Sequence, residues 1–171
     1  MFEIECVAHT QNEVGESPRW DAEEQAVYWL DIWDNPAVFR LHPQTGEFTR
    51  WAPGLPVTGQ ARRAQGGFVF ASRQGLYFWD EHTGARQFIL DPEAGNAPVR
   101  FNDGSADRMG RFWAGSTYAD DQFRPEGSLY RMTPDRSVQK MAGGLACSNG
   151  LGWSPDNKTM YVTAQFAYEI L

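Results

Sequence analysis

Cysteine is scarce: Cys6 and Cys147 stand 141 positions apart in a chain of 171 residues. A secreted disulfide framework needs more than two, so both read as free thiols in a reducing compartment, with Cys6 a small buried side chain. Long apolar runs are missing as well, and nothing approaches the ~18 residues of a membrane helix. The N-terminus carries Glu3 and Glu5 in place of a basic n-region, so no signal peptide is expected. Basic charge is short, since 15 Lys plus Arg face 22 Asp plus Glu for a net charge of −7. That balance argues against nucleic acid or an anionic membrane as a partner. A 3.6-residue apolar pattern is absent, which excludes long amphipathic helices. No Gly-x-Ser-x-Gly elbow offers a nucleophilic serine. The three histidines, His9, His42 and His82, do not cluster and read as surface residues. A soluble, cytoplasmic protein is expected.

What is abundant is aromatic. Phe, Trp and Tyr make up 14% of the chain, beside 17 Gly and 10 Pro. Frequent punctuation and bulky flat side chains point to short strands joined by tight turns.

Four segments repeat a pattern of polar turn followed by an apolar strand. They lead into Ala26-Val27-Tyr28-Trp29-Leu30-Asp31, Phe68-Val69-Phe70-Ala71, Arg111-Phe112-Trp113-Ala114 and Thr159-Met160-Tyr161-Val162. Tyr28, Val69, Phe112 and Tyr161 are equivalent, at intervals of 41, 43 and 49 residues. The first three units add a third strand (Val38–Leu41, Gly75–Phe78, Ser128–Arg131) and, after a turn, a fourth. In the second unit the opening strand is placed at Arg63–Gly67. Four short strands per ~40–45 residues is the signature of a β-propeller blade. The fold is therefore expected to be all-β, a β-propeller of three complete blades and most of a fourth.

Phe2 to Val7 reads as a strand with no blade of its own, of the kind that closes a propeller by completing its last blade. Residues 1–171 thus read as one incomplete propeller domain, with a four-bladed propeller ending in a ragged blade as the alternative. Open sheet edges in such a domain invite self-association.

Propeller sites gather where the innermost strands converge. Three polar clusters lie just before those strands: Gly15-Glu16-Ser17-Pro18, Arg100-Phe101-Asn102-Asp103-Gly104 and Ser148-Asn149-Gly150-Leu151. Glu and Asn oxygens are hard donors that suit a divalent cation, and an Arg beside them suits an anionic or hydroxyl-rich substrate. Taken singly, each cluster is also an ordinary turn.

Together, Gly15-Glu16-Ser17-Pro18-Arg19-Trp20, Arg100-Phe101-Asn102-Asp103-Gly104, Gly110-Arg111-Phe112-Trp113-Ala114-Gly115 and Ser148-Asn149-Gly150-Leu151-Gly152-Trp153 resemble the gluconolactonase/regucalcin (senescence marker protein) family. The resemblance runs in order over nearly the whole chain. It implies a six-bladed propeller that binds one divalent metal (Ca, Mn, Mg or Zn) and hydrolyses sugar lactones. It implies Glu16 and Asn149 as metal ligands, Arg100 and Asn102 as substrate contacts, and Asp120 as the residue holding sugar hydroxyls. It also places the family's catalytic Asp, a third metal ligand, beyond Leu171. The expected activity is lactone hydrolysis; the alternative is an inactive fragment or a non-catalytic metal-binding or interaction propeller.

Overall fold

The computed structural model describes residues 3–96 and 98–171. Blade A contains β1 (Gly15–Asp21), β2 (Ala26–Asp31), β3 (Ala37–Leu41) and β4 (Phe48–Trp51). Blade B contains β5 (Val57–Arg62), β6 (Phe68–Ser72), β7 (Gly75–Trp79) and β8 (Arg86–Leu90). Blade C contains β9 (Val99–Ala106), β10 (Phe112–Tyr118), β11 (Gly127–Met132) and β12 (Val138–Leu145). Blade D has three strands, β13 (Ser148–Trp153), β14 (Met160–Ala164) and β15 (Glu169–Ile170). Each blade is an antiparallel meander in chain order. One 3-10 turn, Gln165–Ala167, is the only helical piece among the described residues. The expected β-propeller is the observed fold.

The aromatic excess fills the layers between blades. Tyr28, Leu30, Val38, Val57, Phe68, Phe70 and Trp79 join blade A to blade B. Val69, Leu76, Phe101, Phe112 and Tyr130 join B to C, and Trp113, Leu129, Leu151 and Val162 join C to D. Flat rings suit these thin layers: Phe68 and Phe70 stack at 5.6 Å, and Tyr28 meets Phe68 edge-on at the same separation.

Three expectations need correction. Residues 3–12 form no strand, because none of the described sheets offers that segment a ladder partner; Phe2, the first residue of the predicted strand, lies outside the described residues. Cys6 is exposed for the same reason, while Cys147 is buried. In blade B the innermost strand is β5, and Arg63–Gly67 is the turn that follows it. The side chains of Val57-Thr58-Gly59-Gln60-Ala61 are small or polar, yet all five residues are buried. Blades packed on both sides of this strand supply the burial that an apolar pattern would otherwise announce.

Innermost strands approach one another closely at glycine. A Cβ on Gly59 of β5 would lie 2.1 Å from the amide nitrogen of Gly104 in β9. Elsewhere, the buried Asp107 carboxylate anchors the turn after β9. It accepts the amides of Met109 and Arg111 at 2.9 and 3.0 Å, Arg111 Nε at 2.5 Å and Trp113 Nε1 at 2.9 Å. Burial opposes its charge, but these donors outweigh it and hold the carboxyl below the usual carboxylate range.

Gly59→Ala is expected to destabilise the fold by about 2–3 kcal/mol, since backbone must move to admit the methyl group. Gly152→Ala, whose Cβ would meet nothing within 4 Å, should cost less than about 0.5 kcal/mol. Urea denaturation followed by tryptophan fluorescence checks both, and equal effects would contradict the close approach. Because the Asp107 pKa is depressed, its contribution is present above the ordinary carboxylate pKa and lost as pH falls through the lowered value. Asp107→Asn should therefore cost about 1–3 kcal/mol at pH 7, with the gap to wild type closing below about pH 4. The same titrations repeated across pH give the answer.

Candidate functional site

Each innermost strand carries a bulge near its start, and the bulges place the candidate residues. In β1 the register slips between Glu16 and Arg19, so Ser17 and Pro18 oppose a single residue of β2. Thr58 is the extra residue in β5, Asn102 in β9 and Gly150 in β13. A bulge bends its strand and re-aims the side chains beside it. Ser17 and Gly150 meet this demand with positive φ values of 51° and 53°. The polar clusters thus lie within the innermost strands, not just before them as expected, and each contains or adjoins a bulge.

Buried polar bonds tie the bulges together across blades. Asp103 is the centre: Oδ1 accepts the Gly104 amide at 2.7 Å and the Ser17 hydroxyl at 3.3 Å, while Oδ2 accepts the Gly150 amide at 2.9 Å. One carboxylate thereby joins blades A, C and D. Gln60 of blade B donates to the Ser17 carbonyl at 3.1 Å, and Asn102 Nδ2 donates to the Ser148 carbonyl at 3.2 Å. Asp103 was quoted in the sequence motif without a role; its role here is to hold the frame.

Above this frame lies a cleft of about 170 Å³ fed by all four blades. Glu16, Arg100, Asn102 and Asn149 all line it, so four of the five sequence candidates come together from three blades. The fifth, Asp120, is exposed on the bend after β10 and is not among the lining residues, whereas Gln122 of the same loop is. Arg73, Trp33, Cys147 and Gln165 also line the cleft and were not anticipated as site residues. Trp33, Arg73 and Gln122 lie in the connections between the second and third strands of blades A, B and C. Extending the blade period to those connections would have found them, since they emerge on the face where the innermost strands begin.

The cleft is lined by both acidic and basic groups. Burial, and then the neighbouring Asp103 charge, push the Glu16 carboxyl above its ordinary range. Burial likewise raises Asp103, against the pull of its three donors. Asn149 Nδ2 donates to Gln165 Oε1 at 2.7 Å and Asn102 Nδ2 is used by Ser148, which fixes both amides. One carboxylate and two amide oxygens form a hard donor set that fits Ca²⁺, Mg²⁺ or Mn²⁺, and a cation there would relieve the Glu16–Asp103 repulsion. Among the described residues no group of three His, Cys, Asp or Glu side chains could hold a metal by itself. Burial and the nearby Arg73 charge lower the Arg100 pKa. Burial also pushes the Cys147 thiol upward, which makes it a poor nucleophile. No helix among the described residues is long and apolar enough to cross a membrane.

The chain is similar to several known proteins. The chain is 35% identical over 158 residues to the 6-deoxy-6-sulfogluconolactonase of Pseudomonas putida, covering 92% of this chain and 54% of that protein. It is 33% identical to Xenopus laevis regucalcin over 99% of this chain and 58% of that one. It therefore spans little more than half the length of the curated relatives it matches. Among solved structures, a Xanthomonas campestris gluconolactonase superposes with a TM-score of 0.75 at 26% identity, over 94% of this chain and 58% of that chain. The calcium-binding regucalcin of Agrobacterium tumefaciens shares the fold, with a TM-score of 0.86 at 24% identity over 96% of this chain and 55% of that chain. The family model described as the SMP-30/Gluconolactonase/LRE-like region matches residues 14–171, and the chain belongs to that family.

Proposed function

We propose that this chain forms the metal-holding and substrate-holding part of a divalent-cation-dependent sugar lactone hydrolase. The observation that supports this reading is the convergence of Glu16, Arg100, Asn102 and Asn149 on one cleft from three blades. Relatives named as lactonases or gluconolactonases support the substrate class.

Glu16 and Asn149 would hold the cation, with Asn102 beside it. When bound, the cation supplies Lewis-acid polarisation of the lactone carbonyl and a lowered pKa for a bound water. Arg100 and Asn102 donate hydrogen bonds to the ring oxygens, and Asp120 accepts from sugar hydroxyls if the loop after β10 turns toward the ring. Holding the ring in one orientation converts binding into rate. A carboxylate takes the proton of the attacking water. A cleft of about 170 Å³, below the ~300–1,000 Å³ of sites for drug-sized ligands, suits a small polar molecule.

A second reading is a cation-binding propeller without turnover. Glu16, assigned to the cation, is the only carboxylate among the described lining residues, which leaves the cleft no separate base for a water and favours this reading.

Lactone hydrolysis measured with added Mn²⁺, Ca²⁺ or Zn²⁺, together with calorimetric titration of the cation, separates the two. Under the hydrolase reading, Glu16→Gln and Asn149→Ala each weaken cation binding about tenfold or more and remove cation-dependent turnover. Cation binding that depends on these residues without any turnover from folded protein would establish the second reading.

A further inference from the structure

The basic groups of the cleft are not consumed by the proposed chemistry. Arg100 serves a ring oxygen there, but Arg73 has no assigned role. Arg73 occupies the two-residue turn between β6 and β7, on the face where the cleft opens. Its guanidinium lies over the Trp33 ring, 4.7 Å from the centroid, and Nη2 donates to the Ile32 carbonyl at 3.3 Å. Those two contacts fix its plane. Its Nε is buried with no hydrogen-bond partner. Arg100 spends one donor on the Phe101 carbonyl at 3.3 Å. Each guanidinium has five N–H donors, so most of this capacity is free.

Neither arginine has an ion-pair partner among the described residues. Elsewhere in the chain three half-buried arginines are neutralised: Arg62 by Glu24 and Glu81, Arg40 by Glu47, and Arg111 by Asp107. Arg19, Arg63 and Arg131 are unpaired among the described residues, but they do not share this cleft as Arg73 and Arg100 do. Glu16 lines the same cleft, yet pairs with neither. Two like charges on one partly desolvated surface oppose each other, and the cost is offset only when an anion is shared between them. Tetrahedral and planar oxyanions match the guanidinium fork, which binds them through paired N–H bonds.

We propose that Arg73 and Arg100 form an anion subsite, so that the cleft selects a sugar lactone bearing a phosphate, sulfonate or carboxylate away from the reacting ester. This rests on the lactone reading for the sugar, while the anion preference stands on the arginines alone. The carbonyl end faces the Glu16, Asn102 and Asn149 donors, and the anionic end faces the arginines. Arg73 is the specificity-determining residue; Arg100 serves both ends.

Calorimetric titration of the chain with glucose 6-phosphate, glucose and inorganic phosphate tests this, because the stable sugars report binding without turnover. Wild type should bind glucose 6-phosphate about tenfold or more tighter than glucose. In Arg73→Gln that ratio should fall to within about twofold, and Arg73→Lys, which keeps charge without the fork, should fall between. Circular dichroism identifies folded variants, and Arg73→Lys carries the comparison if Arg73→Gln does not fold. Equal affinity for both sugars in wild type, or a preference that survives in folded Arg73→Gln, overturns the subsite and leaves the lactone reading in place. Phosphate bound as tightly as glucose 6-phosphate, with glucose unbound, upholds the anion site and removes the sugar. Binding of none of the three overturns both.

Discussion

A single buried carboxylate holds the site's scaffolding in register. Asp103 accepts from Ser17 in blade A, from Gly104 in its own blade and from Gly150 in blade D. Every donor it receives lies at or next to a bulge, so the bulges cannot relax one at a time. Without the bulge Asn102 would return to the alternating pleat of β9, and the residues after Glu16 and Asn149 would shift register against their neighbours. Burial pushes the Asp103 carboxyl above its ordinary range, and the three donors around it oppose that rise. Together with burial, its charge raises the Glu16 carboxyl above it. Frame and chemistry are thus coupled through one residue.

Much of this was legible in the sequence, for a physical reason. Blade strands such as Val27-Tyr28-Trp29-Leu30 and Phe68-Val69-Phe70 have large side chains that bury between sheets, and large apolar side chains at fixed spacing leave a pattern. Glu16, Arg100, Asn102 and Asn149 could be placed because the repeat assigns them equivalent stations. Strand β5 was hidden because its residues pack against backbone on both sides, where Gly59 and Thr58 serve better than Val or Phe. The N-terminal segment read as a strand because its residues favour extension; ladder partners decide whether an extended segment becomes one. Arg73 was not singled out, since nothing local distinguishes a turn that faces solvent from one that faces a cleft.

Charge of both signs lies within a small volume. Glu16, two amide side chains, Arg73 and Arg100 line one cleft, and Glu16 is ion-paired with neither arginine among the described residues. Proteins normally pair such charges, as Arg62 does with Glu24 and Glu81. Keeping them unpaired is costly in the free protein, and that cost becomes orientation when a polar ligand bridges them. A ligand with its electron-rich carbonyl at one end and negative charge at the other enters in one direction only.

The division between bulged inner strands and the connections above them has a consequence for how such a molecule can diversify. Where inner strands touch backbone to backbone, as at Gly59 and Gly104, they tolerate almost no change in side-chain volume. Trp33, Arg73 and Gln122 lie in the connections from second to third strands, line the cleft and brace none of those contacts. Sequence variation confined to these three positions would alter which molecules enter while the framework stays the same. Evolvability here is radial, lowest at the axis and highest at the rim.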